Sequence, residues 1–303
     1  MIFLNSEFKR LFPPKLIESV GNLINRDTLQ ELRIKAEKPC IFNLDNKEIV
    51  SDYIVSKEDV KYILQRISNF SLYAFEEDIK QGFITIKGGH RVGLAGECVI
   101  EGKKIKTIKN ITSLNVRICR EIIGCSKSVI KYIFNNSRVK NTLIISPPKC
   151  GKTTILRDIA RELSDGGKKV AIVDERSEIA ACYEGIPQMS LGIRVDVLDN
   201  CLKSEGMMMA IRSLSPEVII CDEIGTLSDV ESLVMAFNSG VNIVTTVHGF
   251  TIEDFLNRKV FNEINENNIL ERIIVLSNRK GVGTIEGVFK MEKGEKNKWV
   301  NIY

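Results

Sequence analysis

The stretch NTLIISPPKCGKTTILRDIARELSDGG, residues 141–167, constrains the fold more than any other part of the chain. A short apolar strand, NTLIIS, runs straight into a glycine-lysine turn. A helix follows in which Ile155, Ile159 and Leu163 share a face, and Gly166-Gly167 stops it. Strand, turn and helix in that order are the context in which the phosphate-loop pattern G-x-x-x-x-G-K-[ST] carries meaning. Gly151, Lys152 and Thr153 fill its last three fixed positions, and Ser146 stands where the first asks for glycine. A serine fits there if its φ stays negative, and the two following prolines favour that. Pro147 and Pro148 fix φ near about −65° and push Ser146 towards extended geometry.

A phosphate cradle needs inward-pointing backbone N–H groups with a helix N-terminus behind them. Lys149 and Cys150 would contribute such N–H groups, and the residues expected to line the nucleotide site are Pro148, Lys149, Cys150, Gly151, Lys152, Thr153 and Thr154. Lys152 would reach the β- and γ-phosphates, and the Thr153 hydroxyl would ligate Mg²⁺. ATP and Mg²⁺ are the ligands this pattern implies. Some 70 residues on, EVIICDE has the form of a Walker B strand, four apolar residues followed by Asp222 and Glu223. The aspartate suits Mg²⁺ and the glutamate suits the attacking water.

Four further residues qualify by position. His248 follows the strand IVTTV, where a polar side chain either reaches the γ-phosphate region or is structural. Glu175 and Arg176 follow Asp174 at the end of KVAIV, at the edge where parallel sheets bind ligands, and they otherwise read as a solvated acid–base cluster. Arg212 in MAIRSLSPE either stabilises charge across a subunit boundary or lies on a helix surface.

Two textures divide the chain, at residues 1–124 and 125–303. The first reads as a small α+β domain. SKEDVKYILQRI is a helix with Ser56 and Asp59 as a capping box, ELRIKA, CIFNL and EIV are strands, and GFITIKGGHRVGLAGECVIEGKKIKTIK is a β-meander. SLNVRICREI reads as a further strand. The second alternates near-continuous apolar strands with amphipathic helices, which predicts a mainly parallel sheet covered on both faces. In SDVESLVMAFNSG, Ser228 and Glu231 form the expected capping box, with Val230, Leu233, Val234 and Phe237 as the buried face. The run Met207-Met208-Met209 reads as core, and the C-terminal segment as a strand followed by an antiparallel hairpin.

Eight scattered cysteines and two histidines offer no metal-ligand spacing. The N-terminal stretch, with Glu7, Lys9 and Arg10 interrupting it, does not read as a signal peptide, and no segment reaches the roughly 20 apolar residues of a spanning helix. The net charge of +4 is mild, and nucleic acid is not expected as a partner.

PPKCGKTTILRDIAR, VDERSEIA, CLKSEGMMMAIRSLSPEVIICDEIG and TTVHG, with GGHRVGLAGECVIEGKKIKTIKNITSLNVRICREIIG, resemble the stage III sporulation AA family over nearly the whole chain. That family is similar to the ATPases of type II and type IV secretion. The resemblance implies a RecA-like P-loop ATPase domain after the α+β domain, working as a homo-hexamer. It implies a motor in the mother-cell cytoplasm, peripheral at the face of the outer forespore membrane. There it would energise a channel or secretion complex through membrane proteins of the stage III A set. On this resemblance Glu175 falls at an acidic box and His248 at a histidine box, and Arg176 and Arg212 fall where arginines lie near the phosphates. Arg91 or Arg117 of a neighbouring subunit could complete the site. Two departures stand out: Ser146, and Gly225 where secretion ATPases place an arginine after the Walker B pair. The alternatives to an ATP-hydrolysing motor of this kind are a RecA-fold nucleic-acid motor and an assembly scaffold with little turnover.

Overall fold

The computed structural model describes residues 6–24, 26, 28–44, 47–71, 75–135, 138–292, 294 and 297–303. It divides into one unit of Met1–Arg120 with Ala181–Gln188, and another of Glu121–Ala180 with Met189–Tyr303.

The first unit runs α1 (Ser6–Lys9), α2 (Pro14–Ile24), β1 (Leu29–Lys35), β2 (Pro39–Leu44), β3 (Lys47–Ile54), α3 (Lys57–Ile67), α4 (Glu76–Gln81), β4 (Phe83–Ile86), β5 (His90–Glu101) and β6 (Lys104–Arg117). Its sheet has the order β3-β2-β1-β6-β5-β4, with every neighbour antiparallel. Leu16 and Val20 of α2 and Ile63 of α3 share one core with Leu32, Phe42 and Leu114 of the sheet. The Ser56–Asp59 capping box starts α3 as the sequence predicts. SLNVR is not a separate strand but the end of β6. The hairpin bends at a bulge where Gly96 lies against the Lys109 carbonyl, 2.7 Å from where a Cβ would sit, so pairing continues through the bend.

The second unit runs α5 (Lys127–Ile133), β7 (Phe134–Asn135), β8 (Arg138–Val139), β9 (Thr142–Ser146), α6 (Lys152–Asp165), β10 (Val170–Asp174), β11 (Val195–Asp199), α7 (Lys203–Ser213), β12 (Val218–Cys221), α8 (Leu227–Asn238), β13 (Asn242–His248), α9 (Ile252–Leu256), α10 (Asn262–Glu266), β14 (Arg272–Ser277), β15 (Thr284–Glu292) and β16 (Lys298–Asn301). Its sheet has the order β11-β10-β12-β13-β9-β14-β15-β16, parallel as far as β14 and antiparallel across the last two pairs. Strands β9, β10 and β12 are buried at every residue, as near-continuous apolar sequence requires when both faces are covered. Leu143, Val173 and Ile219 pack with Met207 of α7 and Val230 of α8 on one face. Among the described residues no helix is long and apolar enough to cross a membrane.

Three local expectations are corrected. The α8 capping box is Thr226 with Asp229, not Ser228 with Glu231, because the helix begins two residues earlier than its apolar stripe suggests. Phe237 is 37% exposed, its place in the buried face taken by Ala236. Of the methionine run only Met207 is core, since Met209 lies on the opposite side of α7 and is 55% exposed.

The cap assignment is testable by urea unfolding. Thr226→Ala is expected to cost about 1 kcal/mol, whereas Ser228→Ala stays within about 0.5 kcal/mol of wild type.

Candidate nucleotide site

Parallel pairing brings the C-terminal ends of β9, β13, β12 and β10 to one edge, where open α/β sheets bind ligands. Register places His248 beside Ser146, and Cys221 beside Thr245. The phosphate loop leaves β9 at Ser146, which is fully buried, keeps a negative φ and donates its hydroxyl to the Pro147 carbonyl at 3.1 Å. The missing glycine is therefore not needed for conformation. The left-handed positions lie further along, at Lys149 (φ 60°) and Gly151 (φ 79°). Such alternation turns successive amides to one side. Gly151 is also needed for space, since a Cβ there would come within 2.6 Å of Val282 Cγ1 in the β14–β15 loop.

Helix α6 starts at Lys152, whose side chain is 6% exposed. Its ammonium lies 3.3 Å from Glu223 Oε1 and 3.3 Å from His248 Nδ1. His248 Nε2 is in turn 3.0 Å from the same Glu223 oxygen, and Arg176, mostly exposed, reaches to 3.8 Å of Oε2. Burial works against the Glu223 charge, but Lys152, with His248 and Arg176, outweighs it and lowers the Glu223 pKa. Beside this group the Thr153 hydroxyl donates to Asp222 Oδ2 at 2.6 Å. A hydroxyl and a carboxylate in contact at the loop's mouth are the hard oxygen ligands that Mg²⁺ takes, so the donor set fits that ion.

Thr246, for which the sequence suggested no role, joins the two acidic residues. Its hydroxyl donates to Asp222 Oδ1 and accepts the Glu223 N–H at 2.9 Å. Glu223 holds φ 50°, a left-handed conformation rare for a side chain of this kind, and the Ile224 N–H bonds to the Thr246 carbonyl at 3.0 Å to keep it there. The doubled threonine of TTVHG is the only trace of this in the sequence.

Glu175 turns to Lys203 of α7 in an ion pair, and both line a small cavity with Asp222 and Glu223. Asp174 is 3% exposed and accepts the N–H groups of Glu178, Ile179 and Ala180 at 2.8, 2.9 and 2.8 Å. Burial raises its pKa to about 6 against the pull of those amides, with the Asp199 carboxylate adding to the rise. The structure thus gathers Lys152, Thr153, Asp222, Glu223, His248, Arg176 and Glu175. It does not bring Arg212 to them. That residue is exposed at the far end of α7, nine positions beyond Lys203, about 13 Å along a helix.

The sporulation stage III, protein AA family matches residues 13–297. Stage III sporulation protein AA of Bacillus subtilis (strain 168) is 41% identical over 291 residues, 94% of each chain. Among solved structures, the pilus retraction motor PilT with bound ADP superposes with a TM-score of 0.59 at 14% identity, covering 94% of this chain and 81% of that one. The Legionella pneumophila ATPase DotB does so with a TM-score of 0.57 at 14% identity, covering 95% and 78%. The chain therefore shares the fold of these two proteins, a RecA-like α/β domain with a mainly parallel sheet preceded by an α+β domain.

The raised Asp174 pKa gives a pH test. A group whose folded pKa lies above its unfolded value favours folding most where it is protonated. The stability of wild type relative to Asp174→Asn should fall as pH rises from 3.8 towards about 6, then level off. Urea unfolding of both proteins across that range measures it.

Proposed function

The chain belongs to the sporulation stage III protein AA family, and we propose that it is a Mg²⁺-dependent ATPase working as a motor of the secretion-ATPase kind. The observation that carries this reading is the convergence of Lys152, Glu223 and His248 at the mouth of the phosphate loop, with Thr153 on Asp222 beside them. In the proposed reaction the backbone N–H groups from Lys149 to Thr154 hold the phosphates and Lys152 exchanges its contact with Glu223 for the β- and γ-phosphate oxygens. Thr153 and Asp222 would hold Mg²⁺, which would neutralise phosphate charge when bound. Glu223, freed from Lys152, orients the attacking water. With Lys152 turned to the phosphates, His248 and Arg176 still favour the Glu223 charge, and a carboxylate so placed suits orientation better than early proton abstraction. His248 aligns Glu223 and faces the terminal phosphate, and Thr246 fixes the backbone of both acidic residues. Glu175 and Arg176 close the same edge.

The oligomer belongs to the proposal. The chain acts as a homo-hexamer, at the cytoplasmic face of the membrane around the forespore, and energises a channel or secretion complex of stage III A membrane proteins in the mother cell. A neighbour would complete each site with an arginine. Arg212 is exposed and available for this. Arg91 and Arg117, which stand directly opposite one another on β5 and β6, are the other candidates.

ATP hydrolysis by the purified protein over a concentration series tests the reading. Activity per subunit should rise with concentration, and Glu223→Gln should lower it by about 100-fold or more while ATP still binds. Tight ATP binding with no hydrolysis that Glu223→Gln removes would overturn the motor in favour of a nucleotide-dependent scaffold.

A further inference from the structure

The edge of the parallel sheet opposite the phosphate loop carries a second cavity, of about 550 Å³, at the N-terminal ends of β9, β13 and β14. Four cations line it, Arg138, Lys140, Arg272 and Lys290, with one carboxylate, Glu271. That carboxylate is already engaged: one oxygen takes Arg138 at 2.7 Å and the other accepts the Asn141 N–H at 3.3 Å. Among the described residues, Lys140, Arg272 and Lys290 have no carboxylate within ion-pair distance. Arg272 is the telling member. It is 9% exposed, its Nη1 donates to the Glu271 carbonyl at 2.8 Å, and its Nε is buried with no hydrogen-bond partner. It also sits directly across the ladder from Lys290, a like-charge pair on neighbouring strands.

A buried guanidinium with a spare N–H, beside two further ammonium groups, is costly unless an anion joins it. Burial lowers the pKa of Lys140, and Arg272, Arg138 and Lys290 outweigh Glu271 in lowering it further, as an excess of positive charge requires. The cavity is concave, falls within the size range of small-molecule sites, and has Phe237 and Met291 as apolar wall. A single carboxylate would offset one of the three charges, whereas a phosphate offers two charges and several acceptor oxygens to a guanidinium fork.

We propose that this cavity is a binding site for a phosphorylated ligand, held by Arg272, Lys140 and Lys290. It lies at the opposite end of the strands from the nucleotide site and is independent of it. Its occupant neutralises the edge and fixes the start of β14 against β9 and β15. The group recognised is the phosphate, carried either by a free small molecule or by a lipid headgroup.

Pyrophosphate titrated calorimetrically into the Lys152→Ala protein reads the cavity against a weakened phosphate loop, and the component that belongs to the cavity is the one that changes in its own cations alter. Saturable binding is expected, and Lys140→Met with Lys290→Met in that background should weaken it about tenfold or more. Arg272→Met should abolish it. Its melting temperature without anion should hold or rise, because a buried unpaired charge has been replaced by an apolar chain. Flotation with vesicles containing a phosphoinositide separates the sources. Capture that pyrophosphate competes away and the lysine changes remove assigns the site to a lipid headgroup. Pyrophosphate binding without capture assigns it to a free ligand. Absence of saturable pyrophosphate binding, or binding that all three changes leave intact, overturns the proposal.

Discussion

The parallel pairing of β9 with β13 is the constraint on which the rest of the site depends. It sets His248 beside Ser146, so the histidine and the phosphate loop leave the sheet at the same level. The next pairing sets Cys221 beside Thr245, which brings Asp222 and Glu223 up against Thr246. Slipping either strand by one residue would send every side chain to the other face, and the strands are buried on both faces, so little latitude remains. Core packing, not any polar contact, therefore fixes where the polar groups meet.

What they meet over is one buried cation. Lys152 is almost without solvent, and an ammonium in such a place needs an anion close by. In the protein alone Glu223 is that anion, with His248 bridging the pair. Any phosphate that enters competes with Glu223 for the same ammonium, and the group released is the one placed to handle water. Binding and activation are thus coupled through a single charge. The left-handed backbone at Glu223 belongs to the same arrangement, since Thr246 on the neighbouring strand holds it from both sides.

Much of this was legible in the sequence, because the signals were short-range. The loop, both flanking elements, the Walker B pair and the strand-helix rhythm all reside in local periodicity and residue type, and the resemblance supplied the histidine and acidic positions. The substitution at Ser146 was also readable, since two prolines determine the conformation it needs. What escaped depends on contacts between distant segments. Thr246 acts through a hydrogen bond across 24 residues and Lys203 through an ion pair across 28. The α8 cap was misplaced for a different reason. Thr226 and Ser228 are both acceptable caps followed three residues on by an acid, and only the path of the chain out of β12 decides between them.

Asp174 and Glu175 show how adjacent acids come to do different things. Strand β10 ends at Asp174, which points into the unit, and Glu175, the first residue of the turn that follows, reaches Lys203. Asp174 then takes three consecutive amides of the loop at 178–180. From the other side Arg157 of α6, itself buried, donates to the carbonyls of Glu178 and Ile179 at 2.8 and 2.6 Å. Donor and acceptor sides of one short segment are held by two opposite charges that reach it from different elements. The segment's backbone is pinned, although Ser177 sits in the left-handed region at φ 50°. Glu175 and Arg176 lie between β10 and that pinned segment, so their own backbone has little freedom. Asp174 and Arg157 thus act on the site through the chain between them, without touching the phosphate end. Burying the Asp174 charge opposes folding at neutral pH, and the placement of Arg176 beside Glu223 is what that cost sustains.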